Sequence, residues 1–152
     1  MFLASDRAQD RERKIRAFMA REPSITLVLA AVNFEWTVSR AVLFLSKTPN
    51  TALREKMIKF HSPDKYKVLW AEEVAKAHGN ISLAQLVRNW SKVIDGFRAR
   101  NVLVHGRDRY TVNMATPHVE ALLVGAQYVD SYCESIGKPL YARMPVRKKV
   151  AG

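Results

Sequence analysis

A mostly apolar stretch, residues 25–45, constrains the fold more than any other feature of this sequence. It contains two charged side chains, Glu35 and Arg40, near its middle. A helix of this length could cross a bilayer, but each of these charges would cost about 3 kcal/mol at the membrane centre. We therefore expect a buried helix of a soluble protein, without a membrane partner.

The rest of the chain also has a helical pattern, because no segment shows the strict alternation of a strand or an Asn-Gly or Asp-Gly hairpin turn. Start and stop signals divide it into segments. Ser24, Ser62 and Ser82 are candidate N-caps, Thr116-Pro117 opens the last helix, and Gly106 and Gly137 are expected C-terminal ends. The predicted helices are 24–47, 51–60, 62–78, 82–104 and 116–136, while 5–21 is either a short helix or a basic arm.

Length and charge predict one all-α domain of four to five helices with a polyanionic partner. The chain has 152 residues, 25 Lys and Arg against 14 Asp and Glu, and a formal net charge of +11. Such an excess favours nucleic acid or an acidic protein as partner, the alternative being a basic surface that serves solubility alone. We divide the chain into a basic N-terminal helix or arm (1–22), a helical domain (23–138) and a basic, flexible tail (139–152).

The scarcity of metal and disulfide ligands limits the chemistry. Cys133 is the single cysteine, so an internal disulfide and a cysteine-based zinc site are excluded. The charged start of the chain does not resemble a secretory signal. The histidines at positions 61, 78 and 118 occur singly, near predicted helix ends. We expect a cytoplasmic protein that uses no metal and no cofactor.

The most informative segment is residues 96–106, Gly-Phe-Arg-Ala-Arg-Asn-Val-Leu-Val-His-Gly. Arg100 is followed directly by the polar Asn101, and four residues separate Arg100 from His105 near the end of a predicted helix. This arrangement resembles the signature of the HEPN superfamily (higher eukaryotes and prokaryotes nucleotide-binding). The helical order of residues 24–137 fits a HEPN-like bundle, and the two ends of the chain lie outside the resemblance.

The resemblance implies a homodimer in which two such helices line one shared cleft. Many HEPN proteins are ribonucleases that need no metal, and several are toxins or effectors of defence systems. Carried over to this chain, Arg100 and His105 form the catalytic pair and Asn101 supports them. RNA is the implied substrate, and an antitoxin or a defence-complex protein is a further implied partner.

Elementary chemistry is compatible with this role. Cleavage of RNA without a metal requires a proton acceptor for the 2′-hydroxyl, a proton donor for the leaving oxygen and positive charge on the phosphate. The imidazole of His105 can serve either proton role, and the fork of Arg100 matches phosphate oxygens. Arg100 lies five residues before His105, roughly 140° away around the helix, so a dimer would help both to reach one phosphate. The plain alternative is that His105 only caps a helix.

Four further positions are candidates. Glu35, an acid within an apolar helix, is expected to orient Arg100 or His105 from a facing helix; alternatively it pairs elsewhere or is solvated near Arg40. Arg107, Arg109 and Arg40 are candidate RNA-binding residues, although the first two are also typical of a solvated loop. The tryptophans at 36, 70 and 90 are expected in the core, and the arginine-rich run of residues 7–16 on a solvated helix face.

The sequence therefore predicts a metal-independent endoribonuclease of HEPN type. The alternative from another class is a non-catalytic HEPN module that binds nucleic acid, nucleotides or a partner protein as a dimer. In a third hypothesis the motif is coincidental and the chain is a basic helical assembly protein.

Overall fold

A computed structural model describes residues 6–106 and 109–149 of the chain. Within these residues every regular element is a helix and no strand is present, which confirms the all-α prediction. The helix count, seven in the described part, exceeds the expected four to five because two short helices join the longer ones. The elements are α1 (Ala8–Arg16), α2 (Pro23–Leu45), α3 (Asn50–Met57), α4 (Pro63–Glu73), a 3-10 turn (Ala75–Ala77), α5 (Leu83–Leu86), α6 (Trp90–Val104) and α7 (Val112–Ser135).

Several helix boundaries differ from the prediction. Pro23 is the first residue of α2, and the Ser24 hydroxyl, expected to be the cap, instead accepts from the Tyr110 amide. The last helix begins at Val112 under a Thr111 cap, so Pro117 lies inside it. A proline needs no amide partner in the first turn, but the hydroxyl of Thr111 supplies the stronger start signal.

The predicted helix 82–104 is interrupted. Its capping box, Ser82 with Gln85, is present as predicted. However, α5 ends at Leu86, Val87 is extended, and α6 starts only at Trp90. The break lets Leu83 and Val87 both be fully buried, and the burial of their side chains outweighs helical continuity.

The core is formed where α2, α6 and α7 pack together. Phe34 of α2 contacts Phe97 of α6 edge-on, with ring centroids 5.6 Å apart. Gly125 of α7 faces the same phenylalanine closely. α2 is long and apolar enough to cross a membrane by length and composition, yet 61% of its most apolar window is buried inside the bundle, which is typical of a core helix.

The N-terminal helix is fastened by a buried arginine, contrary to the expectation of a solvated basic face. Arg11 is 2% exposed. Its Nε donates to Asn33 Oδ1 at 3.1 Å, and its guanidinium lies over the ring of Trp36 at 4.3 Å. Burial lowers the pKa of Arg11, and the facing Asp130 opposes that shift. A charged side chain thus fastens α1 onto α2.

The C-terminal segment is also fastened, so the expectation of a flexible tail is wrong for its described residues. Leu140 is fully buried. Arg147 donates from Nη2 to Leu43 O at 2.8 Å and from Nε to Thr48 O at 2.9 Å. These bonds satisfy carbonyls at and beyond the end of α2, where no further helical amide is available.

Candidate functional site

An ion pair joins the motif helix to the apolar helix. Arg100 Nη2 on α6 lies 3.1 Å from Glu35 Oε1 on α2. The side chains are 23% and 25% exposed, so the pair sits at the surface with its inner side covered. The facing-helix contact raised for Glu35 is therefore present with Arg100. A pair in this setting restricts the orientation of the guanidinium while leaving part of it accessible.

Aromatic packing beneath the pair sets its position. Phe34 precedes Glu35 on α2, and Phe97 lies one helical turn before Arg100 on α6. The edge-on contact of these two rings fixes the spacing of the helices, and the Arg100 guanidinium lies 5.4 Å from the Phe97 ring centroid. Arg100 Nε is buried and lacks a hydrogen-bond partner in the described part of the chain. Its Nη groups therefore carry the polar contacts of this side chain.

The electrostatics of the site centre on Glu35. Burial raises the pKa of its carboxyl group, while Arg100, His61 and the Tyr66 hydroxyl act in the opposite direction. Burial also raises the pKa of the Tyr66 hydroxyl, and the Glu35 charge adds to that rise. At neutral pH the site thus contains a phenol that stays protonated and can donate to the carboxylate.

Sequence reasoning missed Tyr66 and the placement of His61. The start signal Ser62-Pro63-Asp64 was read correctly, since Ser62 caps α4 and accepts from the Lys65 amide. That signal places Tyr66 in the first turns of α4, but nothing in the sequence pairs it with residue 35. Only the packing of α4 against α2 brings them together.

The other two motif residues lie at the exposed end of α6. His105 is the C-cap residue, and its amide donates to Asn101 O at 3.1 Å. Gly106 follows with φ of +65°, the left-handed conformation predicted for it. The side chains of Asn101 and His105 are exposed. Neither makes a hydrogen bond or ion pair with Arg100 or Glu35 within the described residues.

The three candidate RNA-binding arginines have different outcomes. Arg107 lies outside the described residues. Arg109 is exposed and borders a groove of about 700 Å³ between the start of α2 and the end of α6. Arg40 is engaged elsewhere: it donates to the carbonyls of Leu140 and Ala142 and lies over the ring of Trp36. The RNA-binding role for Arg40 is therefore withdrawn, because these bonds give it a structural role.

An exposed apolar strip runs beside the ion pair. It consists of Ile25 and Val32 on α2 and Val104 on α6, all of which are large apolar side chains open to solvent. Ile25 and Val104 line the same groove, and this places the start of α2 beside the end of α6. The two helices are thus antiparallel, and their common outer face carries both the strip and the motif.

Metal and thiol chemistry find no support in the described residues. No group of three or more His, Cys, Asp or Glu side chains there is arranged to hold a metal ion. Cys133 is buried, and burial raises the pKa of its thiol to about 12. A thiol in that state is a poor nucleophile.

Comparisons with protein-family models, with curated proteins and with solved structures find no match.

Proposed function

We propose that this protein is a metal-independent endoribonuclease of HEPN type. The observation that carries the proposal is the surface position of Arg100, held by Glu35 and about one and a half helical turns before the exposed His105. Glu35 occupies Nη2 of the arginine, while Nη1 has no hydrogen-bond partner among the described residues. That group is open to a phosphate oxygen.

The division of roles follows from the chemistry of the side chains. Arg100 binds the scissile phosphate and neutralises charge that builds up on its oxygens. His105 lies at the C-terminal end of α6, where the helix dipole favours the imidazolium form, so it suits proton donation to the leaving oxygen. Asn101, four residues before His105 on the same face, can bond to the substrate beside it. The products are a 2′,3′-cyclic phosphate and a 5′-hydroxyl.

A homodimer belongs to the proposal. The apolar strip of Ile25, Val32 and Val104 lies on the same outer face as the motif, and a second copy packed there would remove it from water. Two motif helices would then line one cleft. The net charge of +11 supports a polyanionic substrate. A cytoplasmic toxin or defence effector, with an antitoxin or complex partner, is the biological setting that we propose.

The test is RNA cleavage in the presence of EDTA. We expect the wild-type protein to cleave, and Arg100→Ala and His105→Ala each to lose about 10²-fold or more in rate. Arg98→Ala is the matched control, because Arg98 is an exposed arginine on the same helix whose bond is to Asp95. Full activity in both motif variants, or a wild-type protein without activity, would overturn the proposal.

A non-catalytic HEPN module is the second candidate. It is favoured by the lack of any contact between His105 and the Arg100–Glu35 pair within the described chain, since a binding surface does not require these groups to converge. The distinguishing result is tight, salt-sensitive RNA binding in a gel shift with no strand scission over hours. Cleavage ends that map to defined positions would exclude it.

A further inference from the structure

His61 lies at the edge of the Arg100–Glu35 pair although it is far from the motif in sequence. It is an exposed residue in the loop directly before α4. The loop is held at Ser62, whose hydroxyl accepts from the Lys65 amide and whose carbonyl accepts from the Tyr66 amide at 2.9 Å. Tyr66 in turn faces Glu35. The start of α4 therefore presents an imidazole to the site from a third helix.

We propose that His61 is a second catalytic residue of this site, the general base that complements the acid His105. This inference rests on the ribonuclease function proposed above. It follows from three elements meeting at one place: Glu35 from α2, Arg100 from α6 and His61 from the start of α4. All three side chains reach solvent, so one phosphodiester can contact them.

The reaction balances with these groups alone. Neutral His61 takes the proton of the ribose 2′-hydroxyl as the 2′-oxygen forms its bond to phosphorus. The bond from phosphorus to the 5′-oxygen breaks, and that oxygen receives a proton from the His105 imidazolium. Arg100 remains bound to the phosphate throughout. The proton on His61 returns to solvent and His105 regains one, so neither an oxidant nor a metal is needed.

The surroundings of His61 suit a base. The Glu35 carboxylate stabilises the imidazolium that forms when His61 accepts the proton, in the way that a carboxylate supports the histidine of a hydrolase triad. Arg100 opposes that charge, and the Tyr66 hydroxyl, protonated at neutral pH, contributes none. Glu35 would therefore serve two groups, since one oxygen holds Arg100 while the charge as a whole favours protonated His61.

The position of Arg100 also suits two proton-transfer groups. It lies five residues before His105, so the two are separated by about 7 Å along α6. The attacking and leaving oxygens stand on opposite sides of the phosphorus during the displacement. A base beside Glu35 and an acid at the end of α6 would flank a phosphate that Arg100 binds between them.

The experiment compares His61→Gln with Lys59→Gln, a control that removes a neighbouring exposed charge from the same loop. The measurement is kcat/KM for RNA cleavage across pH 5–9, with thermal melts to verify folding. We expect His61→Gln to lose about 10²-fold or more in kcat/KM and to lose the acidic limb of the pH profile. Lys59→Gln should retain that limb. Added imidazole should partly rescue His61→Ala, where the side chain leaves room.

The outcomes separate the two proposals. Loss of activity in Arg100→Ala and His105→Ala with a fully active His61→Gln would overturn the role of His61 and leave the ribonuclease standing. A slower His61→Gln that retains the acidic limb would also overturn it, since the residue would then be structural. A wild-type protein that cleaves no RNA would overturn the proposed function first, and the role of His61 with it.

Discussion

Replacing Gly125 with alanine tests how tightly the three core helices approach beneath the site. A β-carbon built on Gly125 would lie 2.7 Å from Val93 Cγ2 and 3.0 Å from Phe34 Cε2. Carbon atoms prefer separations of roughly 3.5–4.0 Å. The valine is stiff about χ1, and the Phe34 ring is held by Phe97 and Trp90. Neither neighbour can yield cheaply, so the helices must move apart.

The expected magnitude follows from two opposing effects. Overpacking of a core costs about 1–3 kcal/mol, whereas alanine gains about 1 kcal/mol over glycine in a helix interior. The net destabilisation is then about 1–2 kcal/mol. In a domain of this size each kcal/mol moves Tm by roughly 2–4 °C, so we expect a fall of about 2–8 °C.

Gly96→Ala is the matched control. Gly96 also lies in a helix, and alanine there gains the same helical preference. Its β-carbon would meet only side-chain atoms of Leu122, at 2.9 Å and beyond, and a leucine can change rotamer at low cost. The assay is thermal unfolding followed by circular dichroism. A Tm of Gly125→Ala equal to or above that of Gly96→Ala would refute the packing argument.

Three further predictions concern the polar contacts. Glu35→Gln removes the charge that holds Arg100, and we expect RNA cleavage to fall about 10- to 100-fold because the guanidinium loses its orientation; unchanged kinetics would contradict this. Arg147→Ala removes two charged donors from carbonyls at the end of α2, so stability should fall by about 1–3 kcal/mol and hydrogen exchange should rise first in residues 140–147. Glu73 accepts from Lys56 and from the Ser46 and Thr48 hydroxyls. Burial alone would raise the pKa of Glu73, but these bonds together lower it. Its contribution to stability is therefore present above the ordinary carboxyl range and is lost as pH falls through the lowered pKa, so Tm measured below about pH 4.5 should fall less steeply in Glu73→Gln than in the wild type.

Local signals in the sequence predicted much of the helical framework. The Ser62 cap, the Ser82–Gln85 capping box and the left-handed Gly106 are all present. Each of these depends on residues within one turn of each other, so the pattern contains the whole cause. The acid within the apolar helix was also informative, because a charge buried there needs a partner.

Features that depend on packing could not be predicted in the same way. The break between α5 and α6 occurs because Leu83 and Val87 are buried against other helices. Arg11 resembles its exposed neighbours in sequence and differs only because Asn33 and Trp36 lie opposite it. The candidate site was half visible for the same reason, since Arg100 and His105 share a helix whereas His61 arrives from a separate loop.

The hold of Arg40 on the carbonyls of Leu140 and Ala142 has a consequence for synthesis. The bonded residues are 100 and 102 positions apart in the chain. A ribosome that has completed α2 must add about a hundred residues before the segment that covers this part of the helix emerges. Until then its apolar side chains remain open to chaperones and to other nascent chains, so the partners that this helix meets first are decided during translation.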